Sequence, residues 1–301
     1  DGHDFIQEAL KKGASCIICS SGYVSIAARG ITYIQVKDTV SALGDIASFH
    51  RKRFNIPVIA VTGSNGKTTT KEMVAKVFSC RMNVLKNEGT QNNHIGVPLT
   101  LLNLNKNHRM AVLELGTNHP GEIAYLAKMC LADIGVITNV GPSHLEFLTN
   151  LQGVLDEKCS LVNFLNDSSI VVFNGDDKLL KRKFYYSRKK PMAVSFGMAK
   201  TCDYRFTDVC LRDNLLRFKV GSSHYVLKSV ARHNIYNALA AISVGRIFGM
   251  PHGIIKKALA DFNFPKGRMS MVRLDNLILL DDSYNSNPLS LKNAINTLAE
   301  Y

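Results

Sequence analysis

The segment from Pro57 to Thr70 places a glycine turn between an apolar run and the start of a helix. The apolar run Val58-Ile59-Ala60-Val61 is typical of a strand buried inside a parallel sheet. The turn and the helix start read Thr62-Gly-Ser-Asn-Gly-Lys-Thr-Thr-Thr70. A strand, a glycine turn and a helix in this order surround the phosphates of a nucleotide with backbone N–H groups, and the positive end of the helix faces them. The sequence therefore predicts a binding site for ATP or GTP.

Each residue type in the loop has a role in this interpretation. Gly63 and Gly66 would let the backbone approach the phosphates, Lys67 would reach their β and γ oxygens, and Thr68 would offer a hydroxyl to Mg²⁺. The usual Gly-x4-Gly-Lys-[Ser/Thr] spacing requires a glycine at position 61, where this chain has valine, so the loop is the shorter Gly-x-x-Gly-Lys-Thr form. The alternative interpretation is an ordinary glycine turn. The candidate nucleotide-binding residues of the loop are Gly63, Ser64, Asn65, Gly66, Lys67, Thr68 and Thr69.

Composition narrows the class of protein. The chain has 301 residues, 46% of them hydrophobic, which is enough for more than one core. No apolar run approaches the ~18 residues of a membrane-spanning helix, so no membrane insertion is expected. The odd number of cysteines, seven in scattered positions, predicts reduced thiols of a cytoplasmic protein. The first residue is Asp1 rather than methionine, and a fragment of a longer protein is expected.

The net charge of +13 raises the possibility of a nucleic-acid partner. The densest basic cluster surrounds Phe184, Tyr185 and Tyr186, and no recognisable nucleic-acid module adjoins it. A solvated surface is the favoured interpretation, and a nucleotide-linked polyanionic substrate would also suit a basic surface, so no nucleic-acid partner is expected. The cluster consists of Lys181, Arg182, Lys183, Arg188, Lys189 and Lys190.

Apolar runs that alternate with amphipathic segments predict an α/β fold. Its central feature would be a mostly parallel sheet covered on both faces, with a small antiparallel sheet between about 192 and 228. Strands are expected at 58–62, 110–115, 134–138 and 170–173, and helices at 67–79, 121–129, 151–165 and 234–248. Residues 50–54 are predicted to be a polar linker. The predicted domains are a partial N-terminal α/β domain (1–54), a central phosphate-loop domain (55–271) and the start of a truncated C-terminal Rossmann-like domain (272–301).

Polar residues follow two later predicted strands. Glu114 ends one strand, at the sheet edge where ligands of α/β folds bind, and could hold Mg²⁺ against the phosphates. His144 follows another strand and a Gly-Pro turn, a position that favours a site role over a structural one. Lys158, by itself, has the context of an exposed helix lysine.

Motifs along nearly the whole chain resemble the Mur ligase family, ATP-dependent amide-forming enzymes of peptidoglycan synthesis. They are Thr62–Thr70, Glu114-Leu-Gly116, Asn139-Val-Gly-Pro-Ser-His144, His233-Asn234-x-x-Asn237 and Gly267-Arg268. Segments 87–98 and 280–288 resemble the members that add D-alanyl-D-alanine to UDP-N-acetylmuramoyl-tripeptide. The resemblance implies these two substrates as partners, and a monomer in the bacterial cytoplasm. It also implies that 1–54 binds the UDP-linked substrate and that 272–301 begins the ligase domain.

The resemblance also implies a reaction and its catalytic groups. Family members phosphorylate a substrate carboxylate with ATP, and the incoming amine then attacks the acyl phosphate. Thr68 and Glu114 would hold one Mg²⁺, and His144 with a carbamylated Lys158 would hold a second. The carbamate turns a repelling ammonium into an anionic oxygen ligand, which suits a hard cation. Lys67, Lys158 and His144 are thus the implied catalytic residues.

Further residues are implied to bind ATP and the UDP-linked substrate. Asn234 and Asn237 share one helical face and would contact adenine or ribose, although simple helix capping by Asn234 is an alternative. Arg268 would bind the ATP phosphates, and Asp282 would close on the nucleotide. The amide-rich loop with Thr90, Asn92 and Asn93 would bind the sugar and diphosphate of the UDP-linked substrate, or would only form turns.

Other functions stay open at this point. One alternative is a different Mur-type ligase or a folylpolyglutamate synthetase-like enzyme, against which the segment 280–288 argues. A second alternative, from another class, is a nucleic-acid-binding phosphate-loop NTPase, which the net charge of +13 motivates.

Overall fold

The computed structural model describes residues 1–23, 30–185, 191–275 and 277–301. The strands are β1 (Cys16–Ser20), β2 (Thr32–Val36), β3 (Val58–Thr62), β4 (Val84–Lys86), β5 (Met110–Glu114), β6 (Ile134–Ile137), β7 (Ile170–Asn174), β8 (Met192–Gly197), β9 (Tyr204–Arg212), β10 (Leu215–Val220), β11 (Ser223–Leu227), β12 (Ser270–Leu274) and β13 (Leu277–Asp281). The helices are α1 (Ile6–Lys11), α2 (Thr39–Lys52), α3 (Lys67–Ser79), α4 (Gly96–Leu102), α5 (Glu122–Cys130), α6 (Leu145–Leu148), α7 (Leu151–Cys159), α8 (Lys178–Phe184), α9 (Asn234–Ile247), α10 (His252–Ala260) and α11 (Pro288–Glu300), with 3₁₀ turns at Gly2–Phe5 and Ser160–Phe164.

A nine-stranded sheet organises the described part of the chain. Its strand order is β11-β10-β9-β8-β7-β6-β3-β5-β4. Neighbouring strands from β4 to β9 pair in parallel, and β9, β10 and β11 pair antiparallel. In the register, Val61 lies opposite both Glu114 of β5 and Val136 of β6. The loop after β3 therefore lies between the carboxyl ends of β5 and β6, the crevice in which α/β sheets bind ligands.

Helices cover both faces of this sheet. Ile59 and Val61 pack with α3 and α9 on one face, while Val58 and Ala60 pack with α2, α4 and α5 on the other. All five residues of β3 are buried. This double burial explains why β3 is a continuous apolar run instead of an alternating pattern.

The central predictions agree with the structure. Strand β3 and helix α3 have the predicted bounds, and β6 and β7 differ from prediction by one residue at their ends. The predicted antiparallel strands are present, and they extend the central sheet through the parallel pairing of β8 with β9. Separate two-stranded sheets join β1 with β2 in parallel and β12 with β13 antiparallel. Short or weakly patterned elements were not predicted, among them β4, β8, β12, α6, α8 and α10.

The predicted polar linker at 50–54 is wrong. Helix α2 continues through Lys52, and Arg51 is buried. Its guanidinium donates hydrogen bonds to the carbonyls of Cys130, Phe54 and Ile56, and a longer one to Leu131. A planar group with five donors can form hydrogen bonds with carbonyls from several segments. The charges of neighbouring residues in the sequence do not indicate such contacts.

Other bulk predictions have mixed outcomes. All seven cysteines are free thiols. No helix in the described ranges is long and apolar enough to cross a membrane. Lys181, Arg182 and Lys183 of the basic cluster lie on α8, whereas Tyr186, Arg188, Lys189 and Lys190 lie outside the described residues. The division into three domains stays a prediction.

Candidate active site

The loop between β3 and α3 has a conformation that only glycine adopts easily at two positions. Gly63 and Gly66 have φ angles of 146° and 78°. A Cβ at Gly66 would overlap the side-chain oxygen of Asn237, and one at Gly63 would overlap the hydroxyl of Thr138. No side chain among the described residues caps the N-terminus of α3. The backbone N–H groups of its first turn are therefore suited to bind an anion.

The segment that follows β6 supports this loop. The Asn139 carbonyl accepts a hydrogen bond from the Ser64 N–H, and its side-chain oxygen accepts one from the Asn65 N–H at 2.9 Å. The Ser64 hydroxyl donates to the Gly141 carbonyl at 3.0 Å and accepts from the Gly141 N–H. The Asn139–His144 motif thus holds the phosphate loop in shape.

Lys67 lies over the loop, where its ammonium donates to the carbonyls of Gly63 at 2.9 Å and Ser64 at 3.2 Å. Burial lowers the pKa of Lys67, as does the positive charge of Arg268, while Glu114 acts in the opposite direction. A charged acceptor, such as a phosphate oxygen, would bind the ammonium more strongly than these neutral carbonyls do.

Glu114 is buried at the end of β5, with 1% of its surface exposed. Its Oε1 accepts a hydrogen bond from the Asn92 amide at 2.6 Å. The Asn87 side chain accepts from the Glu114 N–H at 2.9 Å and donates to the Glu114 carbonyl at 3.0 Å. The structure therefore places Asn92, a predicted substrate contact, directly against the predicted metal ligand.

Lys158 is fully buried, so the expectation of an exposed helix lysine is wrong. Its neighbour Glu157 fixes α7 by accepting hydrogen bonds from the Gly121 and Ile123 N–H groups at 2.7 and 2.8 Å. Burial and the charge of Lys67, partly offset by nearby carboxylates, lower the pKa of Lys158 to about 7. A substantial fraction of the amine is neutral at such a pKa near neutral pH.

Two buried side-chain atoms in the described part of the chain have no hydrogen-bond partner: Glu114 Oε2 and Lys158 Nζ. Leaving such groups unpaired costs free energy, and native proteins rarely tolerate it. The carboxylate oxygen of Glu114 and the Thr68 hydroxyl are donors that suit Mg²⁺. No cluster of three or more histidine, cysteine or acidic residues that could bind metal is found among the described residues.

His144 faces the same cleft. It is exposed, its φ angle is 53°, and it occupies the residue before α6. Partial burial lowers the pKa of His144, and the positive charges of Lys158 and Lys67 lower it further. The structure thus brings His144 near both predicted catalytic lysines.

A cleft of about 440 Å³ unites most of the predicted site residues. It is lined by the phosphate loop and by Thr90, Asn92, Asn93, Glu114, His144 and Arg268. Asn93 also caps the turn into α4, because its side-chain oxygen accepts from the Ile95 and Gly96 N–H groups. The turn-forming alternative therefore describes at least part of what Asn93 does.

A smaller cavity of about 70 Å³ adjoins the loop on the α9 side and is lined by Asn234, Asn237, Thr69, Arg268 and Asp282, among others. The Asn237 amide donates to the Asn234 side-chain oxygen at 2.9 Å, and the Asn234 amide donates to the Ser229 hydroxyl at 3.0 Å. The helix-capping alternative for Asn234 is wrong, because His233 holds the N-cap position. Burial raises the pKa of Asp282 and lowers that of His233 to about 4.

Two supporting residues, Tyr284 and Asn287, were not predicted from the sequence. The Arg268 guanidinium lies 3.7 Å from the centre of the Tyr284 ring and donates to the Thr68 hydroxyl at 3.3 Å. Asn287 forms two amide hydrogen bonds with Asn65, at 2.8 and 3.4 Å. The Asn-Pro pair at 287–288 is a helix-start signal that could have drawn attention to Asn287.

Comparisons with known proteins agree with this geometry. Residues 61–245 match the Mur ligase middle domain. Curated proteins named UDP-N-acetylmuramoyl-tripeptide--D-alanyl-D-alanine ligase are similar to 98% of this chain in Bacillus subtilis, with 33% identity, and to all of it in Escherichia coli, with 35% identity. The chain spans 64% and 67% of the lengths of these relatives.

Solved structures show the same relationship. A crystal structure of MurF from Acinetobacter baumannii superposes on the whole chain with a TM-score of 0.92 and 30% identity, and the chain covers 66% of it. MurF from Thermotoga maritima in complex with ADP gives a TM-score of 0.88 with 29% identity, covering 99% of this chain and 69% of that one. The family match, the full-chain relatives and the shared fold agree with the motifs: the chain belongs to the Mur ligase family.

Proposed function

We propose that the protein containing this chain is an ATP-dependent ligase that adds D-alanyl-D-alanine to UDP-N-acetylmuramoyl-tripeptide. The similarity to curated ligases of that name, at 33–35% identity over nearly the whole chain, supports the choice of substrates. The observation that carries the chemistry is the cleft, where a phosphate loop lies beside the buried Glu114 carboxylate, one oxygen of which has no partner among the described residues.

ATP would bind with its phosphates at the N-terminus of α3. Lys67 would exchange its two carbonyl contacts for phosphate oxygens, which are stronger acceptors because they are charged. Arg268 would add a second positive charge, held by its contact with the Tyr284 ring. Asn234, Asn237 and Asp282, which line the smaller cavity, would contact the adenosine portion.

The Thr68 hydroxyl and the unpaired oxygen of Glu114 would hold Mg²⁺, and the donor types fit this cation. When bound, Mg²⁺ would supply neutralisation of the charge that spreads over the transferring phosphoryl group. Lys67 and Arg268 would then align the phosphate with the substrate carboxylate, and the cleft would exclude water from the acyl phosphate. Within this cleft, Thr90 and Asn93 remain candidates for contact with the UDP-linked substrate.

Lys158 as an ammonium would repel a second Mg²⁺, and we propose that it is carbamylated. The lone pair of the neutral amine attacks the carbon of CO₂, an N–C bond forms while one C–O π bond breaks, and the amine loses a proton to solvent. A pKa of about 7 supplies the neutral amine that this reaction requires. The resulting anionic oxygen, together with His144, would be the ligand set for the second cation.

The test is a ligation assay on the full-length protein. Phosphate release from ATP should require both UDP-N-acetylmuramoyl-tripeptide and D-alanyl-D-alanine, and Lys67→Ala should abolish it because the loop loses its ammonium. Phosphate release with meso-diaminopimelate or glutamate as the acceptor, and not with the dipeptide, would indicate another ligase of this superfamily. Stimulation of ATP hydrolysis by DNA or RNA without ligation would indicate a nucleic-acid NTPase.

A further inference from the structure

We infer that Asn92 is a positioning residue: it holds one oxygen of Glu114 so that the other oxygen stays directed at the cation. This inference rests on the proposed role of Glu114 as a Mg²⁺ ligand. It assigns to Asn92 a role different from the substrate contact that the resemblance implies.

The hydrogen bond between Asn92 and Glu114 is short and charge-assisted. Asn92 Nδ2 lies 2.6 Å from Glu114 Oε1, whereas Oε2 has no partner among the described residues. Such bonds to an ionised acceptor are stronger than neutral ones. With 1% of Glu114 exposed, water cannot replace this donor freely. The two oxygens of one carboxylate are therefore unequal, and only one is free for a ligand.

The backbone around Asn92 fixes the direction of its amide. The Asn92 carbonyl accepts a hydrogen bond from the Gly116 N–H at 2.8 Å. The Asn92 side chain lies so close to Gly116 that a Cβ at that position would overlap it. Gly116, which follows Glu114 by two residues, thus leaves the space in which the Asn92 side chain reaches Glu114.

A second asparagine fixes the backbone of Glu114. Asn87 is fully buried and pairs with both the N–H and the carbonyl of Glu114, at 2.9 and 3.0 Å. The buried ammonium of Lys71 in turn donates to the Asn87 carbonyl at 2.6 Å and to the Gly89 carbonyl at 3.3 Å. Lys71 belongs to α3, the helix that begins at the phosphate loop. The loop, Asn87 and Glu114 are therefore held as one unit.

This arrangement predicts how loss of the Asn92 amide would act. Without it, Oε1 also becomes unpaired, and the carboxylate can turn away from its present direction. Partners of metal-ligating groups change metal affinity by roughly 10–100-fold when removed. In the described structure Asn92 forms hydrogen bonds with Thr90, Glu114 and Gly116 and not with the phosphate loop, so metal-free nucleotide binding should be unaffected.

The experiment measures Mn²⁺ binding, by electron paramagnetic resonance, to the full-length protein saturated with ADP. Asn92→Ala should raise the Kd for Mn²⁺ by about 10-fold. The Kd for ADP in EDTA should stay within twofold of the wild-type value. Asn103→Ala is the matched control, because Asn103 is an exposed asparagine whose amide donates only to the Leu99 carbonyl among the described residues. If Asn92→Ala does not fold, Asn92→Ser replaces it in the same measurement.

The outcomes separate this inference from the function on which it rests. If Glu114→Gln binds Mn²⁺ as the wild type does, the metal assignment itself is wrong. If Glu114→Gln loses Mn²⁺ but Asn92→Ala keeps wild-type affinity, only the positioning role is wrong. Equal loss of ADP affinity in EDTA and of Mn²⁺ affinity in Asn92→Ala would also overturn it, because a general disturbance of the loop would then explain both.

Discussion

Buried charged groups behave differently in a supporting region, made of Arg51, Lys71 and Glu157, and in the candidate site, made of Glu114 and Lys158. In the supporting region, Arg51 donates hydrogen bonds to the carbonyls of four residues. Lys71 donates to two carbonyls and contacts the Glu72 carboxylate at 2.8 Å. Glu157 accepts hydrogen bonds from two backbone N–H groups. In the candidate site, Glu114 Oε2 and Lys158 Nζ have no partner in the described structure. Each residue of the supporting region is thus paired, whereas each residue of the candidate site keeps one buried polar atom without a partner in the described structure.

The difference indicates what each region does. A paired buried charge ties segments together, and its removal leaves its partners unsatisfied, which destabilises the fold. An unpaired buried charge lowers stability and is retained where a ligand completes it. Substitutions in the first region should therefore reduce stability, whereas substitutions in the second should reduce activity and spare stability.

The largest expected effect is on activity at Lys158. Lys158→Met keeps the side-chain volume and should reduce ligation by about 10³-fold, because the anionic oxygen that carbamylated Lys158 would supply to the second cation is lost. The unfolding free energy, from urea titration, should be unchanged or higher. In Lys158→Ala, added formate or acetate should restore part of the activity by supplying an anionic oxygen. Normal turnover in either variant would remove Lys158 from the mechanism.

The largest expected effect on stability is at Lys71. Lys71→Met should lower the unfolding free energy by about 3 kcal/mol, because the carbonyls of Asn87 and Gly89 and the Glu72 carboxylate lose their shared donor. Lys76→Met, an exposed position on the same helix, should cost less than about 0.5 kcal/mol. Equal values for the two variants would contradict the contrast between paired and exposed lysines.

A smaller, pH-dependent effect is expected at His233, another group near the cleft whose charged form is disfavoured. Its pKa falls from 6.5 to about 4 on folding, so the unfolded state binds the proton first as pH falls. The contribution of neutral His233 is fully present above pH 6.5 and is lost as pH falls toward 4. Relative to His233→Gln, the wild type should lose about 3 kcal/mol between pH 7 and pH 4. Parallel pH profiles in urea titrations would contradict this assignment.

The contrast between local and long-range features explains what the sequence could predict. The β3–loop–α3 unit is defined by an apolar run, two glycines and a lysine that are adjacent in sequence, and its predicted bounds match the structure. The burial of Lys158 and Arg51 depends on packing with segments tens of residues away, and it was not predicted. The pairing of Asn92 with Glu114, 22 residues apart, also has no local signal.

Glu114 shows both sides of this limit. Its place at a strand end marked it as a metal ligand candidate, because strand ends in α/β sheets converge at one edge. That one of its oxygens is held by Asn92 while the other is unpaired could be seen only in three dimensions.

The central claim is that buried groups without a partner in the described structure are sites that a ligand completes. Its most direct test is ¹³C NMR of the full-length protein in ¹³C-bicarbonate. The wild type should show a carbamate resonance that is absent from Lys158→Met and retained in Lys76→Met, because the pKa of the buried Lys158 amine is lowered to about 7. A wild-type spectrum without a carbamate resonance, or a resonance that persists in Lys158→Met, would contradict the account.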